Sequence, residues 1–432
     1  SPTLNGRPFT MKPPMRLWTG AAILKLFGQS NFTFRVPDAL CGLLIVIITY
    51  LIGMQLHSRR WAAFLGALSL ICCKWFVLLH GPRQATTDCM LTMFFTLAIY
   101  CGIRLINTLE QPASAPRSAI AESWRWAIFG GLAVGLGAFT RSVAIYPVLA
   151  IFALNALFSG GLPQLIKARW KQLLTVLTIG LAVPFPYYLW HSLYTKGGFA
   201  TLVKYEIMRR VTSGYVNQDD TWMYFERIFL DGNAFPIFVL LLAVINSLRM
   251  IITERNRTHL LLFVWAAVPL VLYSLARSKL PSYVAAIYPA FGLMIGLFLA
   301  DLIRELSSSI RKAINVKARL HSAALILVLG ICLVELSLYC ASIATTIAEA
   351  DRVISLDKIV RNIKTHEATG HPARILSLAN NEEPTANDIY QGIDVQYREE
   401  MRSLDVAFQE MVYRNLLLPY LHPVSSYAEL VA

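Results

Sequence analysis

Lys12 lies in a segment suited to presenting its charge. Leu4–Trp18 reads Leu-Asn-Gly-Arg-Pro-Phe-Thr-Met-Lys-Pro-Pro-Met-Arg-Leu-Trp, with cations at Arg7, Lys12 and Arg16 and a rigid Pro13-Pro14 pair. Proline fixes its own φ and disfavours helix in the residue before it, so Lys12 is held in extended backbone. A lysine held this way offers a point charge to an anion; a lysine in an ordinary loop touching lipid headgroups is the plainer reading. Further cations sit at Arg35, Arg83, Arg141, Arg209, Arg210 and Lys279. Arg209-Arg210 could grip a phosphate through their guanidinium forks. Lys279 and Tyr283 are four residues apart around Pro281, which suits a helix start, so both could address one opening. Any one of these cations could snorkel to headgroups. As a set beside the proline loop they read as a basic pocket for an anion such as phosphate.

Asp88 is the acidic residue whose place demands an explanation. It borders an apolar run, where a carboxylate is costly unless it is paired or lines a cavity. It could cap the helix it opens, pair with a pocket cation, or position an acceptor hydroxyl. Asp219-Asp220 offers oxygen ligands for a divalent metal, and equally suits a polar turn. Glu335 lies deep in the last apolar run, packed against a neighbouring helix or facing a cavity, with no role assigned.

The elements that must position these residues are helices in a membrane. The chain of 432 residues is 56% hydrophobic and 15% charged, with a mean hydropathy of +0.52. Ten apolar segments of helical length predict an all-α polytopic protein. They are Val36–Leu56, Trp61–Leu79, Cys89–Arg104, Trp124–Ala138, Ser142–Phe158, Leu173–His191, Ala234–Leu248, His259–Leu275, Tyr283–Leu302 and Leu320–Ala344. The fourth and fifth form either a close hairpin or one broken span. Before them, Arg16–Phe27 reads as a short interfacial helix with Leu17, Ala21, Leu24 and Phe27 on one face. The net charge of +13 is then a matter of loops and lipid contact, not of nucleic acid. One alternate set of loops carries fifteen cations and the opposite short loops carry four, which predicts that the first set is cytoplasmic. The Lys12 loop, the loop 192–233 and the tail then lie outside.

The seven cysteines, all within or at the ends of apolar runs, contain no C-x-x-C pair, so neither a zinc site nor a disulfide framework is expected. Gly131 and Gly135 form a G-x-x-x-G, which predicts close helix packing. Gly135-Leu-Gly137 follows no strand, and no Walker loop occurs, so neither a dinucleotide fold nor ATP-driven transport is indicated. The expected domains are a membrane domain over 1–344, with outer loops 1–35 and 192–233, and a small extracytoplasmic α/β module over 345–432. That module has a short strand at Ala373–Leu378.

Five stretches in register resemble the GT-C type polyprenyl-phosphate-dependent glycosyltransferases, most nearly the bacterial aminoarabinose transferases and protein-mannosyltransferase-like enzymes. They are Leu4–Pro14, Leu26–Arg35, Ala85–Asp88, Gly135–Arg141 and Ser278–Tyr283. The resemblance runs from Ser1 to about Leu302. It implies a bacterial inner-membrane enzyme whose site faces the periplasm. A sugar would move, with inversion, from a polyprenyl (undecaprenyl) phosphate donor to a lipid A-like or protein acceptor. Lys12, Arg209, Arg210 and Lys279 would then stabilise the departing phosphate, with Asp88 in a supporting role. The same resemblance implies an Asp-Glu motif upstream of Ser1, so residues are expected to precede it. Met11 stands where some relatives carry Glu, and no His lies near Asp219, which weakens the case for a metal. A secondary transporter or flippase for an anionic or lipid-linked substrate is the alternative, although no internal repeat favours it.

Overall fold

In a computed structural model, the structure describes residues 3–4, 7–8, 13–28, 30–57, 60–78, 81–108, 117–194, 203, 208, 221–229, 235–277, 279, 281–311, 316–350, 375–378 and 421–424. The helices are α1 (Met15–Phe27), α2 (Asn31–Leu56), α3 (Arg60–Ser69), α4 (Lys74–Leu78), α5 (Thr87–Asn107), α6 (Arg117–Arg141) and α7 (Pro147–Phe158). They continue as α8 (Leu162–Ala182), α9 (Phe185–Tyr194), α10 (Thr221–Phe229), α11 (Ile237–Glu254), α12 (Arg257–Leu275), α13 (Tyr288–Arg311) and α14 (Val316–Ala350). Short 3-10 turns lie at Leu70–Cys72, Ser142–Ile145 and Pro281–Ile287.

Among the described residues, eight helical stretches are long and apolar enough to cross a membrane. Two shorter apolar helices, Arg60–Cys72 and Pro147–Phe158, complete the ten expected segments. The fourth and fifth segments are separate helices. The chain turns at Ser142, whose φ of 50° is unusual for a residue with a side chain. It then runs back beside α5, where Phe152 packs against Gly102.

Burial sorts the helices. The apolar windows of α5 and of the stretch Ser282–Arg311 are 72% and 78% buried, whereas that of α14 is 6% buried. The first two are therefore central, and α14 is largely left to lipid. The core gathers Ile45, Ile52, Phe95, Ile99, Trp265 and Ile295 around these central helices. Helices α3 and α13 meet backbone to backbone: a Cβ on Gly296 would stand 2.4 Å from the Ala62 carbonyl oxygen. The Gly131 and Gly135 pattern works as expected, pressing α6 against Ile179 and Val183 on or just beyond α8.

Local chemistry explains several helix starts. Ser30 and Thr33 form a capping box at α2: the Ser30 Oγ accepts from the Thr33 N–H at 3.1 Å, and the Ser30 N–H donates to Thr33 Oγ1 at 3.0 Å. Helix α11 follows Pro236 and has no side-chain cap of its own. Glu335 of α14 supplies one instead, its two carboxylate oxygens each accepting at 2.9 Å from the N–H groups of Phe238 and Val239. This gives Glu335 the role that its sequence position left unassigned. Glu335→Ala leaves two N–H groups unsatisfied and is expected to cost about 1–3 kcal/mol. Thermal unfolding in detergent measures the loss, and Glu335→Gln, which keeps one acceptor oxygen, should lose less.

Helix α1 forms where expected, and its buried positions are Arg16 and Gly20; Ala21 and Phe27 are exposed. Arg16 is buried because it forms an ion pair described below. The tail falls mostly outside the described residues. What is described there is a parallel pair of short strands, Ile375–Leu378 and Leu421–Val424, the first within the expected strand. A second two-residue pair, Thr3–Leu4 with Arg7–Pro8, is antiparallel.

Candidate active site

Asp88 opens α5, Arg141 closes α6, and the two side chains form an ion pair that is 3% and 8% exposed. Antiparallel packing of α5 and α6 brings the start of one helix beside the end of the other. Tyr283, from the Pro281–Ile287 turn, lays its ring against the guanidinium, with Arg141 Cζ 5.0 Å from the ring centre. That turn is tied to the bundle by the Trp265 indole N–H, which donates to the Ala286 carbonyl at 2.9 Å. Tyr273 of α12 packs at 5.7 Å from the Tyr283 ring. Tyr224 of α10 is fully buried. Burial, with Tyr273 and Tyr283 nearby, holds its phenol above the ordinary value, so it remains protonated and able to donate.

A second ion pair sits at the same end of the bundle. Arg16 of α1 and Asp38 of α2 are joined with both side chains 0% exposed. Arg16 Nη2 also donates to the Phe34 carbonyl at 2.8 Å, and its guanidinium lies 5.2 Å from the Phe34 ring centre. The thiol of Cys89, next to Asp88, donates to the Asp38 carbonyl at 3.3 Å and so links the two pairs. An aromatic chain of Trp18, Phe139 and Tyr187 ties α1 to the end of α6, with centroid spacings of 5.4 and 5.6 Å.

Of the residues singled out from sequence, Asp88, Arg141 and Tyr283 are brought together directly. Lys279 is buried four residues before Tyr283 and has no ion-pair partner among the described residues. Arg83, in the turn ahead of Asp88, and Arg35, in the first turns of α2, are each half-buried near this end. Lys12, Arg209, Arg210, Asp219 and Asp220 lie outside the described residues. Among those described, no group of three His, Cys, Asp or Glu could hold a metal. Sequence reading missed the Arg16–Asp38 pair and the Tyr224–Tyr273 flank. Asp38 carried a usable signal, being a carboxylate early in a long apolar run. The two tyrosines carried none.

A cavity of about 410 Å³ lined by His57, Arg249, Glu254, Asp301 and Arg304 lies elsewhere. It sits at the Leu56 end of α2, whereas Asp38 and Asp88 are at the other end.

The dolichyl-phosphate-mannose-protein mannosyltransferase family matches residues 11–190, a range that contains both ion pairs. The crystal structure of ArnT from Cupriavidus metallidurans bound to undecaprenyl phosphate aligns with 97% of this chain and 86% of its own, at a TM-score of 0.62 and 16% identity. The likeness is one of overall fold. An archaeal oligosaccharyltransferase, AglB from Archaeoglobus fulgidus, aligns over 78% of this chain and 49% of its own, with a TM-score of 0.52 and 14% identity. In sequence, the chain is 26% identical over 298 residues to an undecaprenyl phosphate-alpha-4-amino-4-deoxy-L-arabinose arabinosyl transferase of Pseudomonas fluorescens, covering 68% of this chain and 50% of the relative. A transferase of the same name from Erwinia tasmaniensis is also 26% identical, over 304 residues. The chain spans about half the length of the curated relatives it matches.

Proposed function

We propose that this chain belongs to a bacterial inner-membrane glycosyltransferase that moves a sugar from a polyprenyl phosphate to a lipid or protein acceptor. The observation that carries the reading is the buried Asp88–Arg141 pair under Tyr283, set at one end of the bundle in a GT-C fold. A solved protein of this fold has undecaprenyl phosphate bound. The relatives are named for aminoarabinosyl transfer, so that sugar on undecaprenyl phosphate, with lipid A as acceptor, is the first pair to test.

In the proposed reaction the bond between the sugar's anomeric carbon and the donor phosphate oxygen breaks, and its electron pair stays on the phosphate. A bond forms from an acceptor oxygen on the opposite face, and the acceptor's proton passes to a base. Negative charge therefore builds on the leaving polyprenyl phosphate, and fixed cations at that point lower the barrier. Lys12 and Lys279 supply them, with Arg209 or Arg210 from the loop 192–233. Asp88, held by Arg141, keeps a carboxylate beside the sugar without leaving a bare buried charge. The membrane domain spans 1–344. The site faces the periplasm, and residues 345–432 form a small module over that face. The positive loops at the other end support this orientation. A divalent metal at Asp219-Asp220 stays secondary, since neither a Glu at position 11 nor a nearby His completes a ligand set.

The test uses protein from the complete gene in liposomes containing lipid A and radiolabelled undecaprenyl-phosphate aminoarabinose. Labelled lipid A is expected, and Lys12→Ala should reduce its formation about a hundredfold. Movement of the labelled donor across the bilayer with no new glycosidic bond would instead establish the flippase reading.

A further inference from the structure

Cys72 and Cys340 are 268 residues apart in sequence, yet their sulfurs lie 3.3 Å from each other. Cys72 ends the 3-10 turn after α3 and is 7% exposed. Cys340 sits toward the end of α14 and is exposed. The neighbouring Cys73 is turned into the core, where its sulfur accepts from the Phe76 N–H at 3.3 Å. The seven cysteines show no pattern in sequence, so only the packing of α14 across the end of α3 selects this pair.

We propose that Cys72 and Cys340 form a disulfide that ties the last membrane span to the bundle. A disulfide needs its sulfurs about 2.0 Å apart, so this pair would close by about 1.3 Å. The place is mechanically apt: α14 buries little of its own surface and leads directly into the tail. The Glu335 cap holds α14 against α11 one turn and a half earlier, and the disulfide would hold it against α3.

The bond arises by thiol–disulfide exchange with a protein disulfide of an oxidising compartment. This rests on the outward orientation proposed above, which puts both cysteines in the outer half of their helices. Cys340, four residues from the outer end of the expected span Leu320–Ala344, loses its proton and attacks the donor disulfide, releasing one donor thiol. Cys72 then loses its proton and attacks the Cys340 sulfur, releasing the second. One S–S bond forms here and one breaks in the donor, which leaves as a dithiol with the two electrons and two protons.

The experiment uses the complete protein, with free thiols blocked by N-ethylmaleimide as the membranes are opened. Intact mass after denaturing alkylation should show that two of the chain's seven cysteines escape labelling. In a version with a protease site inserted between residues 311 and 316, the two cut halves should stay joined on a non-reducing gel and separate with dithiothreitol. Cys72→Ser or Cys340→Ser should release them, while Cys73→Ser and Cys332→Ser should not. Alkylation of all seven cysteines, halves that separate without reductant, or halves still joined in Cys340→Ser would each overturn the proposal. A tag after residue 432, probed by protease added to spheroplasts, reports orientation independently. An outside tag with unjoined halves sinks the disulfide alone, and an inside tag sinks the orientation.

Discussion

Asp88→Asn is expected to lower sugar transfer by at least about a hundredfold, the usual scale for removing a charged group that acts at the reacting centre. The single variant is ambiguous, because it leaves the Arg141 charge buried against Tyr283 with no carboxylate. Breaking one side of a buried pair commonly costs about 3–5 kcal/mol in stability, whatever the residue does in catalysis. The double variant Asp88→Asn with Arg141→Gln resolves this. Two neutral amides of similar shape can hydrogen-bond where the charges were, so the unfolding temperature should recover much of the way. Transfer should remain low. Recovery of activity along with stability would show that the pair only holds α5 to α6, and the proposed role of Asp88 would be lost.

The Arg16–Asp38 pair should produce the largest stability effect in the molecule. Both side chains are fully enclosed, so Arg16→Ala leaves Asp38 ionised among apolar helices or forces it to take up a proton. The expected loss is about 3–5 kcal/mol, read as a large fall in unfolding temperature in detergent. Arg16→Met with Asp38→Leu, which removes both charges and keeps the volume, should regain most of it. If the apolar pair restores stability and transfer survives, the ion pair is a fastener for α1. If stability returns and transfer does not, the charge itself contributes to the site, through the Cys89 link to Asp88. Gly20 belongs to the same joint. A Cβ there would stand 2.6 Å from Arg16 Nη1, so a larger residue at position 20 would push the guanidinium away from its place beside Asp38.

Much of the architecture is legible in the residues because hydrocarbon imposes so strict a rule. Each helix must be long, apolar and internally hydrogen-bonded, and these properties are local. The ten segments, the close packing at Gly131 and Gly135, and the placing of Asp88 at a helix start all follow from neighbours along the chain. Arg16 shows where local reading stops. Its apolar neighbours Leu17, Ala21, Leu24 and Phe27 suggest an interfacial face, and nothing among them shows that the helix turns its arginine into the protein. The partner that makes this favourable, Asp38, lies on another helix.

What the sequence determined by itself, then, is a helical membrane protein with cations crowded at one set of helix ends and a carboxylate among them. What only the tertiary structure decided is the pairing: Asp88 with Arg141, Arg16 with Asp38, Glu335 with the start of α11, and Cys72 beside Cys340. The physical reason is one of range. Hydropathy and helix capping act over a few residues, so they leave a trace in local order. A buried charge or thiol is satisfied by whichever helix packs against it, and that helix can lie anywhere along the chain.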